Sequence, residues 1–192
     1  VNVRGADSLD AERNNTIAME SIVNQLRKRM RHDFSLYKTS TLLRRIDRRV
    51  TVHGLAGMKE YSVFLKNNPK ELELLFKELL IGVTSFFRDT PVWEFLQHNA
   101  LPIVLNAHAK PHKFRAWCAG CSTGEEAYSL AMVLTEAFEQ LPEHQTIDLQ
   151  IFASDLSADA SAFARRGRFP LSIAEHVSPA RLERFFTLRE GF

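Results

Sequence analysis

The sequence predicts a parallel α/β domain of the nucleotide-binding kind, preceded by an all-α domain. Three observations carry that reading. The short apolar run Phe114–Cys118 breaks into the small residues Ala119–Gly124 and continues as an amphipathic helix with Tyr128, Leu130, Ala131, Val133 and Leu134 inward. A second apolar run, Leu149–Ala153, follows and ends at Ser154-Asp155. Strand, glycine turn, helix, strand is the opening unit of a doubly wound sheet. Residues 14–81, by contrast, carry only helical stripes.

The elements are justified in chain order. Val1–Glu12 is polar and reads as a frayed end. Ile17, Met19, Ile22, Val23, Leu26 and Met30 give a helix over Asn14–Met30. Leu42, Leu43, Ile46 and Val50 give a second over Ser40–Val52, with Ser40 or Thr41 as its cap. Gly54 and Gly57 break the chain before a short helix, Met58–Lys66. Pro69 then opens a helix with Leu72, Leu75, Phe76, Leu79 and Leu80 inward. Gly82–Thr90 is a loop, and Pro91 opens a helix that Pro102 kinks or divides. Strand 114–118, helix 123–140 and strand 149–153 follow. Helices Ala158–Arg166, closed by Gly167, and Pro179–Thr187 complete the chain. Only two strands are visible, so the sheet reads as cut short at Phe192.

Composition bounds the partners. The chain has 192 residues, 45% of them hydrophobic, enough for a core in one or two domains. A net charge of +2 gives no global bias toward nucleic acid. No apolar run approaches the roughly 20 residues that span a membrane, and no signal segment opens the chain. Two cysteines, Cys118 and Cys121, fit a reducing, cytoplasmic setting. The start at Val1 rather than Met reads as a piece of something longer.

Several residues could carry chemistry. The turn lacks a lysine for phosphates and leads instead into Glu125 and Glu126. That favours a ligand with hydroxyls or a cationic end over a phosphate-rich nucleotide. Two acids at a helix start also complement its dipole, and spacing alone does not choose between them. Asp155, at the end of the second strand, is placed to accept from ribose hydroxyls, a reading compatible with a turn that caps the next helix. Thr84–Asp89 (TSFFRD) puts two phenylalanines and an arginine in a loop. One Phe reads as core, the pair otherwise as an interdomain plug. Arg88 could grip a carboxylate or pair with Asp89. The spacing of Cys118 and Cys121 permits metal or redox use, but no second ligand pair has zinc-like spacing. His108 and His112 merely precede the strand. Nine Lys or Arg against two acids occupy residues 27–49, and Arg44, Arg45, Arg48 and Arg49 recur at helical spacing. Such a face is a solvated surface or the footprint of an acidic partner.

Four segments, Tyr37–Val50 (YKTSTLLRRIDRRV), Leu80–Asp89 (LIGVTSFFRD), Phe114–Leu130 (FRAWCAGCSTGEEAYSL) and Ile151–Phe169 (IFASDLSADASAFARRGRF), together resemble the CheR family. These are S-adenosylmethionine-dependent methyltransferases that esterify glutamates on methyl-accepting chemotaxis receptors. The first two segments look most like the CheR part of CheB–CheR fusion proteins. The resemblance implies a Rossmann-like methyltransferase domain, C-terminally truncated here, after an all-α domain: 1–81 helical, 82–112 loop and linker helix, 113–192 the first part of the methyltransferase domain. Thr84 and Arg88 match the family's T-x-F-F-R loop, which touches the cofactor, and Arg88 is also the catalytic candidate. Gly120 marks the turn against the cofactor, Glu126 matches the acid at its methionine end, and Asp155 matches the ribose acid. Arg44, Arg45, Arg48 and Arg49 match the helix facing the receptor. No metal, nucleic acid or membrane insertion is implied.

The chemistry implied is in-line methyl transfer to a glutamate carboxylate, leaving S-adenosylhomocysteine. The chain departs from the family in carrying Gly82 where many members have Asn. The family's remaining strands, an Asn-containing cofactor segment and an aromatic near the methyl group lie beyond Phe192, so the resemblance implies a piece that is inactive alone. Two other readings stay open. One is a non-catalytic module binding cofactor or a partner as a regulatory input. The other is a nucleic-acid-binding helical domain using the Arg44–Arg49 face.

Overall fold

Apolar stripes on four helices build the first of two units into which the chain divides, Val1–Ile81 and Gly82–Phe192. The computed structural model describes residues 3–80, 82–107, 113–141 and 147–189. His108 and His112 lie outside the described residues.

In the first unit, α1 spans Val3–Met30. The helix therefore runs back through the stretch expected to fray. Ala6, Leu9, Ala11 and Glu12 are all good helix formers, and they extend a helix already nucleated by the packed stripe. Helix α2 (Thr39–Val52) buries Leu42, Ile46 and Val50. Its N-cap is Lys38, with no side-chain capping bond, in place of the expected Ser40 or Thr41. Helices α3 (Met58–Asn67) and α4 (Pro69–Leu79) bring Tyr61, Leu65, Leu72, Leu75 and Leu79 onto Ile22, Leu26 and Phe34 of the first segment. Pro69 sits in the first turn of α4, where its missing N–H costs nothing.

In the second unit, α5 (Thr90–Phe95) leads through a π-helical turn, Leu96–Ala100, into α6 (Leu101–Ala107). Pro102 offers no N–H to the preceding turn, and the widened turn absorbs that gap. Strands β1 (Lys113–Ala119) and β2 (Asp148–Ser154) pair in parallel, from Lys113 opposite Asp148 to Ala119 opposite Ser154. They flank α7 (Glu125–Glu139) in sequence. Phe114, Ala116, Leu149 and Ile151 pack into a core formed by Phe86, Phe87, Leu101, Met132, Val133, Leu134 and Phe169. The other face carries Trp117, 70% exposed, directly opposite Phe152. Among the described residues, then, helices cover one face of the pair. The unit ends in α8 (Ala158–Arg166), a 3-10 turn at Leu171–Glu175, and α9 (Pro179–Phe185). No helix of the described residues is long and apolar enough to cross a membrane.

Candidate functional site

Gly120 follows β1 and Asp155 follows β2, so both lie at the carboxyl ends of parallel strands, where open α/β sheets bind ligands. The Gly120 and Cys121 N–H groups both donate to the Ser154 carbonyl, at 2.7 and 3.0 Å. That ties the turn to the end of the neighbouring strand. Gly120 has φ +78°, and a Cβ placed there would meet nothing within 4 Å. The backbone is thus bare on that side, open to close approach. Gly124, at φ +104°, serves a different purpose: a Cβ there would lie 2.9 Å from the Ala164 Cβ of α8. It lets α7 begin against its neighbour.

Asp155 bridges two loops. Its Oδ2 accepts the Ser122 N–H and its Oδ1 the Ser157 N–H, each at 2.8 Å. Ser157 in turn caps α8, its hydroxyl accepting the Ala160 N–H at 3.2 Å. The capping turn is therefore real. Together with the bond from Ser122 it occupies two of the roughly four acceptor positions of a carboxylate, leaving one on each oxygen.

The two acids of α7 separate clearly. Glu125 accepts the Thr123 hydroxyl at 2.6 Å. Glu126 is exposed, and its bond is from the Cys118 thiol to Oε1 at 3.3 Å. Burial, reinforced by Glu126, pushes the Cys118 thiol up to about 12. Burial also raises Cys121. Both are free, buried and protonated at neutral pH, which makes them poor nucleophiles and poor metal ligands as they stand.

The loop 82–89 corrects the sequence reading. Phe86 and Phe87 are both buried, 2% and 8% exposed, in the core of this same unit. Phe86 meets Phe169 and Phe186 edge-on. Arg88 is exposed and donates from Nη1 to the Val83 carbonyl at 2.8 Å, with no ion pair to Asp89 among the described residues. Thr84 is half-buried. A Cβ on Gly82 would lie 2.7 Å from Ser122 Oγ, so this loop closes directly on the glycine turn. Phe87, Asp89 and Ser122 have φ of 48°, 57° and 46°. Each such residue costs about 1–3 kcal/mol and persists only where its surroundings hold it. Three of the four non-glycine residues in this conformation among the described residues, Arg31 being the fourth, thus sit in these two loops.

The basic helix belongs to the first unit and is less uniform than its spacing implies. Arg49 is directed inward. Its Nε and Nη2 hold both oxygens of Glu71, at 2.8 and 2.6 Å. Tyr61 donates to Glu71 Oε1 at 2.6 Å, and His53 Nε2 lies 2.9 Å from Oε2. Burial alone would raise the Glu71 carboxyl, but the bonds from Arg49, Tyr61 and His53 outweigh it and hold it at about 2. Arg48 lies 3.5 Å from Glu78, Arg44 is exposed, and Arg45 is partly buried with no partner on its Nε. At about 100° per residue, Arg49 falls beside Leu42 at the edge of the apolar stripe, which is why it turns in. Neither Glu71 nor Ser129, which accepts the Phe87 N–H, was signalled by the sequence. Each is joined to partners distant in sequence.

Comparison with known proteins divides the chain at the same place. Residues 17–80 match the family model described as CheR methyltransferase, all-alpha domain, and residues 82–191 that described as CheR methyltransferase, SAM binding domain. The chain is 30% identical to a chemotaxis protein methyltransferase of Salmonella typhimurium over 157 residues, 81% of this chain and 51% of that protein. It is 32% identical over 153 residues to chemotaxis protein methyltransferase 2 of Pseudomonas aeruginosa, 79% of this chain and 51% of that protein. It is also 40% identical over 159 residues to an uncharacterized 104.1 kDa protein in the hypE 3' region of Rhodobacter capsulatus, 83% of this chain and 16% of that protein. The chain thus spans about half the length of the two chemotaxis methyltransferases.

Proposed function

The chain belongs to the CheR methyltransferase family, and from that premise we propose that its protein transfers a methyl group from S-adenosylmethionine to glutamate side chains of chemotaxis receptors. The observation that carries the proposal is the pairing of Asp155 with the bare backbone of Gly120. Asp155 ties the turn after β1 to the turn before α8 and still keeps an acceptor position on each oxygen for two hydroxyls. The residues fit the cofactor in three further respects. Glu126 offers an exposed carboxylate to an ammonium group, the turn has no lysine for phosphates, and Thr84 and Arg88 lie on the loop that closes on the turn.

When bound, S-adenosylmethionine supplies an electrophilic methyl group on a sulfonium. The acceptor glutamate is already ionised near neutral pH, so the chain needs no general base for it. Its work is positioning and exclusion of water. Arg88, whose guanidinium is held among the described residues by the Val83 carbonyl alone, is free to orient a carboxylate. The exposed arginines of α2, Arg44 foremost, give the helical unit a cationic surface for an acidic receptor segment.

Calorimetric titration of the full-length protein with S-adenosylhomocysteine tests the site. Wild type binds, and Asp155→Ala weakens binding at least about tenfold, the effect of ~1.4 kcal/mol lost from hydroxyl contacts. Unchanged affinity in a folded variant removes Asp155 from the cofactor site.

A further inference from the structure

The strained loop and the acidic end of α7 meet at one buried hydroxyl. Ser129, 0% exposed, accepts the Phe87 N–H at Oγ (3.0 Å) and donates to the Glu125 carbonyl (2.7 Å). A helical serine bonded only to the carbonyl four residues back is a small liability to its helix. Here the same oxygen also takes a donor 42 residues distant in sequence. That donor belongs to a bulky residue held at φ 48°. That conformation is strained for a residue with a bulky side chain and needs external support.

The support comes from both sides of Phe87. Its ring meets Trp93 edge-on at 5.6 Å, and the Arg181 guanidinium lies 4.3 Å from the ring centroid. Arg181 is itself clamped by both oxygens of Glu136 on α7, at 2.8 and 2.7 Å. The ring and the N–H of Phe87 are thus both referred back to α7, the N–H through Ser129 alone.

We infer that Ser129 is a positioning residue that fixes Arg88 relative to Glu126. Arg88 follows Phe87 directly, and Glu126 follows Glu125, so one hydroxyl holds the backbone of both neighbours. The inference rests on the reading that these residues share a cofactor site, but the coupling itself is measurable without cofactor.

Two measurements on the full-length protein decide it. In Ser129→Ala, amide hydrogen exchange at Phe87 accelerates about tenfold, while exchange along β1 and β2 is unchanged. S-adenosylhomocysteine binding weakens by a similar factor, ~1.4 kcal/mol, the cost of re-ordering a loop that Ser129 no longer holds. Ser129→Thr keeps the hydroxyl and restores both. Combined with Arg88→Ala, Ser129→Ala costs less than the product of the single effects; combined with Asp155→Ala, it costs the full product. Unchanged exchange at Phe87, or equal acceleration throughout the unit, overturns the coupling. Full multiplicativity with Arg88→Ala overturns its action through the loop. Absence of binding by wild type instead removes the cofactor reading, and the exchange result then decides the coupling by itself.

Discussion

Glu71 in the helical unit and Asp155 in the α/β unit are both carboxylates that tie together distant parts of the chain, yet they are filled differently. Glu71 receives two donors on each oxygen: Tyr61 and Arg49 on one, Arg49 and His53 on the other. Its capacity of about four is used up within the unit. Asp155 receives one backbone N–H on each oxygen and has room for one more on each. A buried acid with every lone pair satisfied has nothing left to offer a ligand. An acid held in place by half its capacity is both fixed and available. The contrast extends to the backbone. The loops around Asp155 hold three non-glycine residues at positive φ, whereas the Glu71 network joins regular helices. Strain and spare acceptors mark one region; saturation marks the other.

The strongest way to break this comparison is to empty the saturated site. Glu71→Ala leaves Arg49 largely buried without its main partner and strips Tyr61 of its acceptor. Breaking such a pair costs about 3–5 kcal/mol. Urea denaturation followed by far-UV circular dichroism checks it, and a loss below about 1 kcal/mol would mean the network is ornamental. S-adenosylhomocysteine affinity at the other unit stays as in wild type wherever the variant is folded.

Acid sharpens the same point reversibly. The Glu71 carboxyl is held at about 2, against an ordinary 4.5. A depressed pKa contributes stability that is complete above 4.5 and drains away as pH falls toward 2. The total is on the order of 3 kcal/mol. Glu71→Gln has no such group, so the difference in stability between wild type and Glu71→Gln shrinks across that window. Both tryptophans, Trp93 and Trp117, lie in the α/β unit, so their fluorescence follows that unit separately from the helical signal. A difference that stays constant from pH 6 to 2.5 would detach the acid sensitivity from Glu71.

What the sequence made legible divides along the same line. Helical stripes, the two strands, the glycine turn and the acids at the strand ends are local patterns, and each of them is in the structure. Periodicity reports which face is buried but not what a buried polar group will meet. Arg49 was therefore read with Arg44, Arg45 and Arg48 as one basic face, because its partner Glu71 is 22 residues away. Nothing in the sequence singles out Ser129 for the same reason: the Phe87 N–H that it accepts is 42 residues away. The Phe86-Phe87 pair left core and interdomain plug open in the sequence; both rings lie in the core of the α/β unit, and Phe87 does so with a left-handed backbone that no sequence pattern announces. The start of the chain differs for another reason: α1 runs back to Val3 from a helix whose stripe is packed further along, and composition alone does not report that continuation.

Within α2 the comparison can be made between two residues five positions apart. Arg49 sits at the edge of the apolar stripe with its charge neutralised by Glu71; Arg44, about 140° around the helix, is exposed and without an ion pair among the described residues. Charge reversal should separate the roles they play. Arg49→Glu places a second acid beside Glu71 and should unfold the helical unit. Arg44→Glu should change stability by less than about 0.5 kcal/mol, as exposed substitutions do. It should leave S-adenosylhomocysteine affinity untouched and raise the KM for receptor about two- to fivefold at low salt, the scale of an exposed charge contact. That effect should fade as ionic strength rises, because a surface charge is screened within about 10 Å at 0.1 M salt. Equal methylation kinetics for wild type and Arg44→Glu at low salt would take the receptor off this face and leave α2 as a purely structural helix.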